Sequence, residues 1–300
     1  MRKQRKRSPT WRKIAKYRFV YILLIPAILY FCVFSYAPLL MGVVQSFQKS
    51  RLLGPSEWAG FANYRALFTD STFVHALING IEMGACTFML TFIGALVLAL
   101  SLNEVRNRFW KSLVQTTTYM PYLFSWTVVG GIWVFILSTH GLINDVLGYF
   151  SLPAIHFMTE SSLAKPIMIL TAAWKETGYM AILFLASIVA INPNLFEAAQ
   201  IDSASRGKQI WKIIIPDLVP TMKVVTLLGI IGFFTNFDQI YVMGNPAIID
   251  AVRTPLLYIF EEGITKFNVG LATSASVVIL AVTCLITLFF YRVLFHKESE

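Results

Sequence analysis

The chain has 300 residues, of which 56% are hydrophobic and 14% are charged, and its mean hydropathy is +0.64. A soluble domain carries roughly 25% charged residues, so this composition excludes an ordinary soluble protein and indicates an integral membrane protein. The formal net charge is +9, and much of it lies near the N-terminus.

The first eighteen residues form a basic tail, 1–18, with nine Lys and Arg residues and no acidic residue. A basic arm can bind nucleic acid, but beside an apolar run it is more simply a topogenic segment that stays in the cytoplasm. A cleaved signal peptide is a second alternative. The apolar run that follows is too long for one and lacks a good cleavage site. We therefore expect a retained first span and no nucleic-acid partner.

Six apolar runs are long enough to cross a hydrocarbon core of about 30 Å, which takes about twenty helical residues. They predict an all-α integral membrane protein with six transmembrane helices, at 19–45, 76–102, 113–137, 166–191, 221–243 and 270–295. Pro26 and Pro121 lie inside these runs, and helix bundles tolerate such prolines. The simplest partition is the tail, one membrane domain at 19–296 and a short C-terminal tail at 297–300.

The Lys and Arg residues of the connections predict the orientation of the spans, because such residues accumulate on the cytoplasmic side. With a cytoplasmic N-terminus, eighteen of them lie on the cytoplasmic side, six lie on the opposite side and Lys175 remains within a span. We therefore expect a multi-pass protein of the inner or plasma membrane with both termini in the cytoplasm.

The connection between the fourth and fifth runs is polar and is expected to be cytoplasmic. Asn192 and Pro193 predict a helix start, with Asn as the N-cap and Pro at the first helical position. A second helix is expected from about Ser205 to Ile215, ended by Pro216. The segment is too polar for a span and too apolar for a solvated loop. Such a surface usually marks a docking site, although a helix pair packed on its own bundle is the alternative.

This connection, at about 192–220, resembles the cytoplasmic EAA loop of binding-protein-dependent ABC importer permeases. That pattern is Glu-Ala-Ala, three residues, Gly, nine residues and Ile-x-Leu-Pro. Here Glu197-Ala198-Ala199 is followed at the same spacing by Ser203 in the Gly position and by the sequence Ile-Ile-Ile-Pro, which ends at Pro216. Segments at 120–129, 237–246 and 270–276 are similar to motifs of the carbohydrate permeases of this family, closest to those for oligosaccharides and polysaccharides.

The resemblance implies the type I ABC importer transmembrane fold and a role as the permease subunit of an ATP-driven importer. The substrate would be a carbohydrate, expected to be an oligosaccharide, delivered by an extracytoplasmic solute-binding protein. A second homologous permease and two ABC ATPase subunits, which would bind ATP and Mg, are the other implied partners. The residues implied to contact an ATPase are Glu197, Ala198, Ala199, Asp202, Ser203, Ala204, Ile213, Ile215 and Pro216.

No motif for ATP binding or catalysis is evident in the sequence. Gly207-Lys208 is superficially similar to a phosphate-binding loop, but Asp202 occupies the first Gly position and Gln209 the Ser/Thr position. The histidines and cysteines lack metal-ligand or redox spacing, and the cysteines are expected to face lipid or to pack in the bundle. We therefore expect no enzymatic activity, metal or cofactor on this chain.

Ionisable residues inside spans cost roughly 2.5 to 3.5 kcal/mol each, so they are candidates for a solute pathway. Asp238 is expected about 26 Å from Thr221 along the fifth run, close to the outer surface. Amide, hydroxyl and aromatic groups near it would suit a hydroxylated solute. The pathway candidates are Glu82, Trp174, Lys175, Glu176, Asn236, Asp238, Gln239 and Tyr241. The alternatives are residues that extend to the interface, a structural Lys–Glu pair and ordinary hydrogen bonds of the bundle.

Two other functions are compatible with six spans. A stand-alone secondary transporter or channel for a polar solute would carry charged relays and an inverted repeat, and neither is evident. A structural membrane scaffold is the third possibility.

Overall fold

A computed structural model describes residues 16–49 and 56–295. Most of the basic tail and the C-terminal tail at 297–300 lie outside the described residues. The described residues are almost entirely helical. In chain order the helices are α1 (Arg18–Ser46), α2 (Ala62–Thr69), α3 (Ser71–Glu104), α4 (Arg108–Leu123), α5 (Trp126–Ile136), α6 (Leu142–Tyr149), α7 (Ser161–Val189), α8 (Pro193–Ile201), α9 (Arg206–Gly232), α10 (Asp238–Met243), α11 (Ile249–Val252), α12 (Pro255–Phe260) and α13 (Val269–Phe295).

Among the described residues, five helices are long and apolar enough to cross a membrane: α1, α3, α7, α9 and α13. A sixth span is obtained if the bent pair α4 and α5 is counted as one. The predicted all-α fold is therefore confirmed, with five candidate spans among the described residues and the predicted six if the bent pair is one span. Two short strands, β1 (Gln48–Lys49) and β2 (Glu57–Trp58), form an antiparallel hairpin before α2, with Gln48 opposite Trp58.

Short polar side chains start several helices by accepting hydrogen bonds from free backbone N–H groups. The Asp70 carboxylate accepts from the N–H of Thr72 at 2.8 Å and begins α3. Asn107 does the same for Phe109 at the start of α4, at 2.9 Å. These caps fix where each long helix leaves its connection.

The third predicted span, 113–137, is not one straight helix, so that prediction is wrong in shape. The axes of α4 and α5 meet at 102°, and the break falls at Phe124 and Ser125. Both residues adopt extended backbone angles, with ψ of 146° and 156°. Pro121 lies inside α4, three residues before the break, so the chain turns after the proline and not at it.

The second predicted loop helix, 205–215, and the fifth predicted span, 221–243, are also corrected. One helix, α9, runs from Arg206 through Pro216 to Gly232. A π-helical turn at Ile210–Ile214 precedes the proline, and the N–H of Ile215 bonds to the carbonyl of Ile210. In a π-helical turn each N–H bonds to the carbonyl five residues earlier, instead of four. With this turn before it, the helix continues past Pro216, which has no N–H to donate.

Asp238 does not lie in the fifth span, contrary to the prediction. Backbone from Phe233 to Phe237 separates α9 from α10, and Asp238 is the first residue of that six-residue helix. The fifth span therefore ends at Gly232, six residues before the carboxylate.

The core lies around α7, which packs against α3, α4 and α9. One buried cluster joins α3, α7 and α9 and includes Ala95, Phe184 and Leu218. A second joins α3 and α7 to α10 through Met83, Met168 and Ile240. In contrast, the most apolar stretches of α1 and α13 contain no buried residue. These two helices pack against each other at the edge of the bundle and leave apolar surface for lipid or another chain.

Candidate functional site

The connection between α7 and α9, here called the α8 loop (residues 192–205), is a helix followed by a tight turn. The Asn192 side chain accepts a hydrogen bond from the N–H of Asn194 at 3.0 Å and starts α8, as the sequence predicts. At the other end, the N–H of Ala204 donates to the carbonyl of Ala199 at 2.8 Å. Between them Ser203 has a φ of +54°, the left-handed conformation that glycine adopts most easily.

Gln209 anchors the α8 loop to the bundle. From the sequence alone, this residue is notable only because it does not match the Ser/Thr position of a phosphate-binding loop. Gln209 is buried, and its Nε2 donates to the carbonyl of Ala204 at 3.1 Å. Its Oε1 accepts from Arg206, whose Nε lies 3.7 Å from Glu104 at the end of α3. These contacts connect the turn, the start of α9 and the end of α3.

The α8 loop presents an exposed surface of mixed character. Glu197, Ala198 and Asp202 are exposed there, and Ile201 is 85% exposed. Beyond the turn, Trp211 of α9 is 72% exposed. Of the other predicted contact residues, Ser203 and Pro216 are exposed and Ala199, Ala204, Ile213 and Ile215 are half-buried. Apolar side chains beside a carboxylate and small residues are typical of a protein contact surface.

A second candidate site is a cavity of about 350 Å³ inside the bundle. Its walls come from α3, the α4–α5 bend, α7, α9 and the segment that leads into α10. Four of the predicted pathway residues line it: Glu176, Asn236, Asp238 and Gln239. This volume is large enough to hold part of a small solute.

The segment between α9 and α10 is held by a chain of hydrogen bonds through Gln239. Its Nε2 donates to the carbonyl of Met168 and to the hydroxyl of Thr171, both at 2.8 Å, and its side chain is fully buried. Its Oε1 accepts from Asn236 Nδ2, also at 2.8 Å. Gln239 therefore positions Asn236 at the cavity wall and has no donor left for a solute.

Aromatic side chains form the wall at the α4–α5 bend. The rings of Tyr122 and Tyr179 are stacked with centroids 4.3 Å apart and planes 5° apart, and both line the cavity. Trp126, the first residue of α5, lines it too. These three residues were not among the sequence candidates. They lie on α4, α5 and α7, and only the folded arrangement of these helices brings them to one wall. Trp126 and Pro121 do belong to one of the segments that resemble carbohydrate permeases.

Lys175 of α7 binds the end of α4 beside this bend. Its side chain is only 7% exposed, and its Nζ donates to the backbone carbonyl of Tyr122 at 3.2 Å. The ammonium also lies 5.2 Å from the centre of the Tyr122 ring and 5.4 Å from that of Trp126. A cation over aromatic faces is stabilised by their negative charge density. Lys175 thus fixes the end of α4 and does not line the cavity.

The remaining pathway candidates also lie outside the cavity lining. Glu82 forms an ion pair with Lys165 across α3 and α7. Trp174 packs edge-on against Trp133, with ring centroids 5.4 Å apart, and Tyr241 stacks on Phe237 at 5.2 Å. The described residues also contain no group of three or more His, Cys, Asp or Glu side chains that could hold a metal ion.

The chain is similar to known membrane components of transport systems. The family model described as "Binding-protein-dependent transport system inner membrane component" matches residues 91–299. The polygalacturonan/rhamnogalacturonan transport system permease protein YteP of Bacillus subtilis (strain 168) is 31% identical over 281 residues, which are 92% of this chain and 87% of that protein.

Solved structures are similar along almost the full chain. A crystal structure of a bacterial ABC transporter involved in the import of the acidic polysaccharide alginate contains a chain with a TM-score of 0.88 and 30% identity, covering 96% of this chain and 98% of that one. A crystal structure of a bacterial alginate ABC transporter in complex with a periplasmic protein bound to alginate pentasaccharide gives a TM-score of 0.86 and 29% identity, covering 97% and 98%.

Proposed function

The chain belongs to the family of binding-protein-dependent transport system inner membrane components, and from this premise we propose that it carries an oligosaccharide across the membrane as a permease subunit of an ABC importer. An oligosaccharide substrate is supported by the relatives, which are named for polysaccharide transport. The cavity supports it as well, since amide, carboxylate and aromatic groups line it. Such mixed surfaces suit hydroxylated solutes.

The full importer would contain several kinds of partner around this chain. A second homologous permease would complete the pathway, and an extracytoplasmic solute-binding protein would deliver the saccharide from outside. Two ABC ATPase subunits would bind ATP and Mg beneath the α8 loop. The distribution of Lys and Arg, eighteen against six, supports cytoplasmic termini and therefore a cytoplasmic α8 loop.

The observation that carries this proposal is that one helix connects the two candidate sites. α9 begins at Arg206, directly after the α8 loop. Near its other end, Val225, Gly229 and Gly232 line the cavity. An α-helix rises 1.5 Å per residue and transmits displacement along its axis, because its backbone hydrogen bonds make it stiff. A movement of the α8 loop caused by an ATPase would therefore move the cavity wall.

The assembly can be tested by purifying the tagged chain in mild detergent and identifying what accompanies it by mass spectrometry. We expect a homologous permease and an ATPase, and we expect ATP hydrolysis to rise when a saccharide-loaded binding protein is added. A lone, stable chain without an ATPase would contradict the proposal. In that case Glu82, Glu176 and Asp238 would become candidates for an ion-coupled transporter.

Replacing Glu197 with Lys tests the role of the α8 loop. This carboxylate is exposed beside small residues and can accept charge-assisted hydrogen bonds from an ATPase. We expect Glu197→Lys to lower saccharide uptake by about tenfold or more, which corresponds to docking that is weaker by about 1.4 kcal/mol. Saccharide-stimulated hydrolysis should fall with it. Glu57→Lys makes the same charge change in the β1–β2 hairpin. It should leave unchanged the amount of ATPase that co-purifies with the chain, whereas Glu197→Lys should reduce it. Wild-type uptake in Glu197→Lys would exclude the assigned role.

A further inference from the structure

We propose that the cavity rejects acidic saccharides, so that this chain serves the import of an oligosaccharide without carboxylate groups. The inference depends on the import function proposed above and specifies the chemical class of its substrate. It distinguishes this chain from relatives whose names refer to polygalacturonan or to the acidic polysaccharide alginate.

The first argument is the charge of the cavity lining. The ionisable acids on it are Glu176 of α7 and Asp238 of α10, and among its described lining residues there is no Lys, Arg or His. Glu176 interacts electrostatically with the neighbouring Lys175, which compensates part of its charge. Asp238 belongs to no ion pair between described residues, so the cavity lining carries an excess of negative charge. A uronate placed there would meet like charge, and like charges repel strongly where water is scarce.

The second argument concerns the nearest cation. Lys175 precedes Glu176 in the sequence, yet its Nζ is hydrogen-bonded to the carbonyl of Tyr122 and lies against two aromatic rings. With only 7% of the residue exposed, the ammonium cannot bind a sugar carboxylate without giving up those partners. The group that would be expected to bind a uronate is therefore already used by the protein.

The third argument points to hydroxyl groups as the feature that the cavity recognises. Tyr122 and Tyr179 line the cavity, and both side chains are partly exposed. Their phenol groups, together with the amide of Asn236 on the same lining, offer donors and acceptors of the kind that sugar hydroxyls use. The carboxylates of Glu176 and Asp238 can in turn accept charge-assisted hydrogen bonds from the hydroxyl groups of a sugar.

The test uses two probes with the same sugar backbone, tetragalacturonate and its fully methyl-esterified form, in which each carboxylate is replaced by an uncharged methyl ester. Their binding to the purified permease–ATPase complex in nanodiscs is measured by calorimetry at neutral pH, without the binding protein, so that the selectivity of that protein does not enter. We expect the ester to bind at least about tenfold more tightly than the acid. Equal affinity, tighter binding of the acid, or binding of neither probe would overturn the inference.

Variants connect any selectivity to the two carboxylates. The double variant Glu176→Gln and Asp238→Asn should reduce the preference for the ester by about fivefold or more, because the amides keep the shape and remove the charge. Asp145→Asn, which removes an exposed carboxylate of α6 outside the cavity lining, should leave the preference unchanged. An unchanged preference in the double variant would show that other groups reject the acid, and it would overturn the role given to these carboxylates.

The outcome can be separated from that of the import function. ATP hydrolysis stimulated by a saccharide-loaded binding protein reports import, whatever the charge of the saccharide. A complex that shows this stimulation but accepts both probes equally would retain the proposed function without the proposed selectivity. A complex without stimulation by any loaded binding protein would contradict the function itself.

Discussion

At the scale of single residues, Gly178 determines how closely α4 and α7 approach. A Cβ added at this position would lie 2.0 Å from the carbonyl oxygen of Thr118 and 2.4 Å from its carbonyl carbon. These are backbone atoms of α4, so they cannot rotate out of the way. The same close approach brings Tyr122 of α4 onto Tyr179 of α7, one residue beyond the glycine. The aromatic wall of the cavity therefore depends on a missing side chain.

Gly178→Ala is expected to destabilise the protein. The methyl group would force α4 and α7 apart, and overpacking of this kind costs about 1 to 3 kcal/mol. The measurement is the Tm of the purified complex in detergent. Gly131→Ala is the matched control, since a Cβ at that helical position of α5 meets nothing within 4 Å. An unchanged Tm in Gly178→Ala would mean that the two helices do not pack as described.

The sequence identified some residues of the cavity and missed others for a physical reason. Glu176 and Asp238 are recognisable because a charge within an apolar run is costly and unusual. Tyr122 and Tyr179 are not, because they lie far apart in the sequence and meet only where α4 and α7 approach closely at Gly178. The roles assigned to the α8 loop residues remain predictions.

At the scale of elements, the sequence predicted the apolar helices well and their interruptions poorly. Length and composition suffice to find a span, because about twenty apolar residues have few other uses. Pro216 was expected to end a helix, whereas the π-helical turn before it lets α9 continue. The chain bends at Phe124 and Ser125, where no proline or glycine marks the break. Tertiary packing decides such points, and single-sequence patterns do not contain it.

The junction between α3 and α12 is another feature that the sequence did not indicate. The hydroxyl of Tyr258 in α12 donates to the carboxylate of Asp70, the N-cap of α3, at 2.7 Å, and Tyr258 is only 1% exposed. Burial and this bond to Asp70 raise the pKa of Tyr258. Burial alone would raise the pKa of Asp70 as well. The hydrogen bonds from Tyr258 and Thr72 outweigh that effect and lower the pKa of Asp70 below its ordinary value.

This junction predicts a pH dependence of stability. A carboxyl group with a lowered pKa in the folded state stabilises that state above its ordinary pKa of about 4, and the contribution disappears as the pH falls through the folded value. Between mildly acidic pH and about pH 3, the Tm of the wild type should therefore fall more steeply than that of Asp70→Asn. Tyr258→Phe should also show the shallower dependence, because it removes the main hydrogen bond. Wild-type slopes in both variants would contradict this assignment.

At the scale of the whole molecule, the chain combines a packed centre with an exposed periphery. α7 is surrounded by α3, α4 and α9, while α1 and α13 lie at the edge with their most apolar stretches unburied. The two candidate sites both adjoin the packed centre. α9 connects them, and its buried residues Leu218 and Val225 hold it against α3 and α7 along the way.

The continuity of α9 leads to a prediction about coupling. Val219 is 40% exposed and lies between the α8 loop and the first cavity-lining residue of this helix, Val225. Glycine at an exposed helical position is about 1 kcal/mol less favourable than alanine, because it frees the backbone. We expect Val219→Gly to leave ATP hydrolysis in place but to lower the saccharide transported per ATP by about twofold or more, because a destabilisation of about 1 kcal/mol can shift a coupled equilibrium by that factor.

Val219→Ala is the matched control, because it removes the same side chain and keeps the helix stiff. Both variants are reconstituted into proteoliposomes with the partner subunits, and uptake of labelled saccharide is measured together with phosphate release. If the ratio falls in the glycine variant alone, the helix transmits the motion of the α8 loop to the cavity. If both variants keep the wild-type ratio, the two sites must communicate through the partner subunits, and α9 would serve only to hold the cavity wall in place.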